Sequence, residues 1–118
     1  AHACANPLTA HYGTPHGIAV AVMLPHVVRW NSGDVAYRYG ELLGASGVDG
    51  GRVQGERLAA RLDALARVGE LPATLGELGV PRDDLDTLAA EAATQWTGTF
   101  NPRMFDATAA RALYEQAY

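Results

Sequence analysis

The chain has 118 residues, nine arginines and no lysine against thirteen acidic residues, a formal net charge of −4, and 48% hydrophobic side chains. That is room for one domain with a core of its own. The arginines are scattered from Arg29 to Arg111, without the basic cluster of a nucleic-acid binder. No apolar run reaches the length of a membrane span, no signal peptide opens the chain, and the single Cys4 has no internal disulfide partner, which makes a reduced, cytoplasmic home the default.

Taken in chain order, the elements read as helices. His2 and His16 stand fourteen residues apart, with Gly13-Thr14-Pro15 as a turn between them, so the chain can run out along one helix and return. The next stretch is ambiguous. Ile18, Val20 and Val22 alternate with Ala19 and Ala21, a strand period. Yet alanine is the best helix former, and Pro15 suits a first helical turn, which favours a buried helix. Pro25 is expected to end or kink it.

Residues 34–43 place Val35, Tyr39 and Leu42 on one face, with Asp34 as N-cap. Gly44, Gly47, Gly50 and Gly51 mark a loop, at 44–51. From Arg52 to Val68, Leu58, Leu62 and Leu65 recur at helical spacing opposite Arg57, Arg61 and Arg67, an amphipathic surface helix. Residues 69–82 are mostly turn, with a short helical piece at Leu75–Leu78. Asp83 or Asp84 can cap a helix with the stripe Leu85, Leu88, Ala89 and Ala92. Asp106 or Thr108 can cap a last one carrying Ala110, Leu113, Tyr114 and Ala117. The expectation is an all-α fold of about six helices in one domain, 1–118, with no sheet.

A neutral imidazole is a good ligand for divalent iron or zinc. Two of them are an incomplete catalytic site, which ordinarily has three protein ligands and one open position. No Asp or Glu lies between Ala1 and Gly33, so further ligands must come from elsewhere. The glycines near residue 50 do not stand between a strand and a helix, so no dinucleotide loop is read there.

The ordered set His2, Asn6-Pro7-Leu8, Pro15-His16-Gly17, Leu24-Pro25-His26-Val27 and Asn31 resembles the metal-ligand region of the iron-containing alcohol dehydrogenases. Asn101-Pro102-Arg103 and the closing Leu113–Tyr118 extend the resemblance, with a looser match between Val48 and Thr99. It implies a helix over the ambiguous run 18–22 and a bundle equivalent to that family's C-terminal metal-binding domain, in the wider dehydroquinate-synthase-like fold. His2 and His16 become metal ligands for Fe(2+), with Zn(2+) acceptable to the same donors. In the family an Asp and another His upstream complete the ligand set, and an N-terminal nucleotide-binding domain holds NAD or NADP. Neither that Asp nor that His can be mapped onto this chain. Since Ala1 is followed at once by a motif residue, the chain is expected to be a C-terminal fragment lacking that domain, ending naturally at Tyr118.

The implied activity is metal-dependent, NAD(P)-linked interconversion of a small alcohol and its aldehyde or ketone, with the isolated chain inactive. Many members carry a histidine four residues after the first ligand. Here Asn6 holds that position on the same helix face as His2. It can hydrogen-bond but not titrate, so a catalytic role for Asn6 competes with a structural one. Thr97 lies in a segment that borders the substrate pocket in similar enzymes, and its hydroxyl faces substrate or stabilises the loop. His11, at a position often aromatic in the family, is read as bulk, His26 as a packing residue, Cys4 as a small buried residue, and Trp30 and Trp96 as core aromatics.

Two other readings are kept open: a non-catalytic helical scaffold or interaction module that retains the motif, and a glycerol dehydrogenase or synthase of the same fold. Nucleic acid and membrane are excluded as partners, and a homo-oligomer is left open.

Overall fold

The computed structural model describes residues 1–44 and 51–118. Among them there is no strand, and five α-helices carry the fold: α1 (His2–Tyr12), α2 (His16–Leu42), α3 (Gly51–Val68), α4 (Leu85–Thr94) and α5 (Ala107–Gln116), with 3₁₀ turns at Arg82–Asp84 and Trp96–Phe100. Most of the expected 44–51 loop lies outside the described residues. The ambiguous alternation at 18–22 is helix, and no helix of the described residues is long and apolar enough to cross a membrane.

Helix α1 closes on Gly13, whose left-handed backbone (φ 63°) suits a residue without a Cβ; its N–H donates to the Thr9 carbonyl at 3.1 Å. Pro15 then stands immediately before α2, its carbonyl accepting from Ile18 and Ala19. Of the two outcomes expected at Pro25, an end or a kink, the first does not occur: α2 runs on through it. Its ring is buried in the middle of α2, and the non-helical residue is Val35 (φ −131°, ψ 22°). A proline removes one N–H from the ladder, and packing on both sides keeps the remainder helical. The segment expected to start at Asp34 is therefore the continuation of α2 beyond Val35, which makes six α-helical pieces among the described residues. Leu42, expected on its inner face, is 73% exposed.

The core is formed where α1, α2, α4 and α5 meet, around Leu8, Met23, Leu85, Leu88, Leu113 and Tyr114. Tyr114 donates from its hydroxyl to the Cys4 carbonyl at 2.7 Å, tying the last helix to the first. Leu75–Leu78 is a hydrogen-bonded turn rather than a helix, and the Leu75 N–H donates to the Ala117 carbonyl at 2.8 Å. Asp106 caps α5, accepting from the Ala109 N–H at 2.8 Å. Asp84 precedes α4 without capping it: its carboxylate accepts from the Tyr12 hydroxyl at 2.7 Å.

Helix α3 lies against α2. Arg29 bridges the two, donating to Glu56 and Asp63. The contact face is made by small residues, Gly55 and Ala59, with Leu58 and Leu62 half-buried. Leu65 is 58% exposed rather than part of a buried stripe.

Candidate metal centre

His2 opens α1 and His16 opens α2. The short return through Gly13-Thr14-Pro15, with Thr14 buried, brings the two helix starts together. The imidazole centroids are 5.2 Å apart with ring planes at 46°. Both side chains are exposed. Two imidazoles bound to one ion at metal–nitrogen distances near 2.1 Å have centroids about 5 Å apart, so the observed spacing fits a shared divalent cation. Among the described residues no group of three or more His, Cys, Asp or Glu side chains could hold a metal. The pair therefore fits part of a coordination shell.

Asn6 is one helical turn beyond His2. Its Nδ2 donates to the Gln95 Oε1 at 2.8 Å, which ties α1 to the residue before the 3₁₀ turn Trp96–Phe100. Thr97 lies in that turn, and its Oγ1 is buried with no hydrogen-bond partner among the described residues. Thr97 also lines a cavity of about 220 Å³ together with Cys4, Trp30, Asn101, Phe105 and Leu113. Gly98 presses close to the floor of this region. A Cβ there would stand 2.7 Å from Phe105 Cδ1 and 3.6 Å from the Ala3 Cβ.

The other sequence candidates have separate environments. His11 pairs with the Glu91 carboxylate at 2.8 Å on the surface between α1 and α4. His26 sits beside Arg29 and Asp63; burial and then the Arg29 charge push its pKa down, against a pull upward from Asp63. Cys4 is 1% exposed, and burial pushes its thiol up to about 11. Trp30 is half-buried, edge-on to Phe105 at 6.3 Å, with the Arg103 guanidinium 4.4 Å from its ring centroid. Trp96 is a correction: at 70% exposure it is no core aromatic, and it stands out from the turn edge-on to Phe100, itself 75% exposed. A 3₁₀ turn with extended backbone on both sides has no room to fold a large ring inward once Gly98 has taken the close approach to Phe105.

One arrangement went unread in the sequence. Asn31 and Asn101 exchange two amide hydrogen bonds, Asn31 Nδ2 to Asn101 Oδ1 at 2.8 Å and Asn101 Nδ2 to Asn31 Oδ1 at 2.9 Å. Both residues are legible as motif positions; their pairing across seventy residues is not. Gln95 left no signal at all.

Comparison with known proteins gives these features a context. Residues 1–118 match the family described as Fe-containing alcohol dehydrogenase family, C-terminal. Lactaldehyde reductase of Escherichia coli (strain K12) is 37% identical over 106 residues, covering 86% of this chain and 28% of that protein. The 1,3-propanediol dehydrogenase of Klebsiella pneumoniae is 33% identical over 125 residues, covering 99% and 31%. A crystal structure of 1,3-propanediol oxidoreductase superposes with a TM-score of 0.89 at 29% identity, again over 99% of this chain and 32% of the other. The chain thus spans about a third of the length of the relatives it matches.

Proposed function

Because the chain belongs to the Fe-containing alcohol dehydrogenase family, as its C-terminal domain, we propose that it is the metal-binding and substrate-side part of an enzyme that interconverts a small alcohol and its aldehyde or ketone. The observation that carries this reading is the pair of imidazoles from two helix starts at 5.2 Å. His2 and His16 hold a divalent ion, Fe(2+) or Zn(2+). A segment upstream of Ala1 supplies the remaining ligands and the nucleotide site. When bound, the metal supplies Lewis-acid stabilisation of the substrate oxygen, and NAD or NADP supplies the hydride partner.

The chain's own residues bind and orient. His2 and His16 fix the cation by two neutral nitrogens, each ring aimed by the start of its helix. Asn6 has no titratable proton, and one of its Nδ2 hydrogens is donated to Gln95, so this position orients neighbours rather than exchanging a proton of its own. Thr97 belongs to the substrate wall, its buried Oγ1 in the turn that lines the cavity. The substrate is a small alcohol or carbonyl compound, and the enzyme is cytoplasmic, in keeping with its buried, unpaired Cys4.

The test is made on the full-length enzyme. We expect metal bound at about one ion per chain and alcohol-dependent reduction of NAD or NADP, both lost in His2→Ala and His16→Ala. A full-length product that folds, holds no metal and turns over no alcohol is a scaffold, and overturns the proposal. Metal-dependent turnover restricted to a polyol or to a synthase substrate moves the chain to the glycerol dehydrogenase or synthase reading.

A further inference from the structure

The turn Trp96–Phe100 is a weak piece of structure held in a definite place. Its own bonds are 3₁₀ type, Gly98 N–H to the Gln95 carbonyl at 2.9 Å and Asn101 N–H to the Gly98 carbonyl at 3.1 Å. No side chain caps it, and both flanking residues are extended. Such a turn has poor hydrogen-bond geometry and little intrinsic stability. Two amide contacts fasten it, one at each end. At the leading end, Asn6 Nδ2 donates to Gln95 Oε1 at 2.8 Å. At the trailing end, Asn101 and Asn31 exchange two bonds, and Asn101 Nδ2 also donates to the Arg103 carbonyl at 2.7 Å. Arg103 in turn donates to the Trp30 carbonyl at 3.1 Å.

The helices that supply these amides are the ones that present the imidazoles. Asn6 is on α1 with His2, and Asn31 is on α2 with His16. Asn31 is 4% exposed, so leaving its amide unpaired is costly, while Asn101 is half-buried. A reciprocal amide pair also requires a donor and an acceptor on each partner, which defines distance and plane together. We infer that Asn6–Gln95 and Asn31–Asn101 are positioning pairs that set the Trp96–Phe100 turn relative to the two metal-binding imidazoles, and thereby set how large an alcohol the site accepts. This rests on the proposed function, and it gives Asn6 a role through Gln95. Thr97 and Phe100, which line the cavity, and the exposed Trp96 beside them are the groups whose placement the pairs control.

The experiment uses the full-length, metal-loaded enzyme. Asn31→Leu and Gln95→Leu each remove one pairing at nearly constant volume. Gln95→Glu keeps an acceptor for the Asn6 amide and serves as the conservative control. Metal content, thermal midpoint, and kcat/KM for a short primary alcohol and a branched, bulkier one are read for each. We expect full metal content in all three, and a change of about tenfold in the short-to-bulky ratio of kcat/KM for the two leucine variants, with Gln95→Glu close to the parent. A parental ratio in both leucine variants, with both alcohols slowed equally or only the thermal midpoint lowered, overturns the inference. So does metal loss in proportion to activity, since the pairs would then support the metal site rather than the turn. If either leucine variant fails to fold, Asn31→Asp, which retains one of the two bonds, is read in the same way. A parent enzyme without metal or turnover fails the underlying reading first, and is recognised before any variant is compared.

Discussion

At the scale of single residues, the two sulfur- and nitrogen-bearing neighbours at the start of α1 behave oppositely. His2 is exposed and faces His16, while Cys4, two positions on, is turned into the core with 1% of its surface accessible. Burial raises the Cys4 thiol from an ordinary value of 9.0 to about 11, so it stays protonated at neutral pH and makes a poor thiolate ligand. The expected outcome is that a thiol-specific reagent at pH 8 leaves the folded chain unmodified and labels one thiol per chain in denaturant. Because the folded value is the higher one, the stability this burial contributes is whole below pH 9 and is lost as pH rises toward 11. Labelling of the native chain at the rate of the denatured one would show Cys4 to be accessible and would return it to the set of candidate ligands.

At the scale of elements, α4 and α5 were legible because their stripes are long-range facts written locally: Leu85, Leu88, Ala89 and Ala92 are all buried, as are Ala110, Leu113, Tyr114 and Ala117. Pro25 does not end α2, because a proline's local cost is read without the packing that offsets it, while the break at Val35 falls one residue after Asp34, the position read as a helix start. The candidate site divides the same way. His2 and His16 are marked by type and spacing, whereas the partners of Asn6 and Asn31 are 89 and 70 residues away in sequence, a pairing only the fold creates. The α2–α3 crossing was equally invisible and is equally specific. A Cβ on Gly55 would lie 2.1 Å from the Ser32 Cβ, a rigid atom on a buried stretch of α2. Gly55→Ala gains about 1 kcal/mol in helix propensity and incurs overpacking of about 3 kcal/mol, a net loss of about 2 kcal/mol. Urea titration measures it, and Ser32→Gly in the same chain should recover most of the loss. An unchanged midpoint for Gly55→Ala alone would mean that the two helices separate freely.

At the scale of the whole molecule, the structured core and the candidate centre are differently complete. The core closes on itself: Leu8, Met23, Leu85, Leu113 and Tyr114 are fully buried within this chain alone. The centre does not. Two imidazoles converge, no further metal-binding group joins them among the described residues, and no strand there is available to carry a nucleotide loop. An ion held by two neutral nitrogens keeps water in its remaining positions and exchanges readily. The isolated 118-residue chain is therefore expected to be helical by circular dichroism, to release its metal to a mild chelator within the time of mixing, and to give no alcohol-dependent reduction of NAD or NADP. Adding the upstream part of the full-length protein, covalently or in trans, should restore both retention and turnover, and His16→Ala in the restored enzyme should abolish them again. Turnover by the 118-residue chain alone, after metal loading and with contaminating dehydrogenase excluded, would mean that the active site is whole within it, and the division of ligands between two parts of the protein would have to be abandoned.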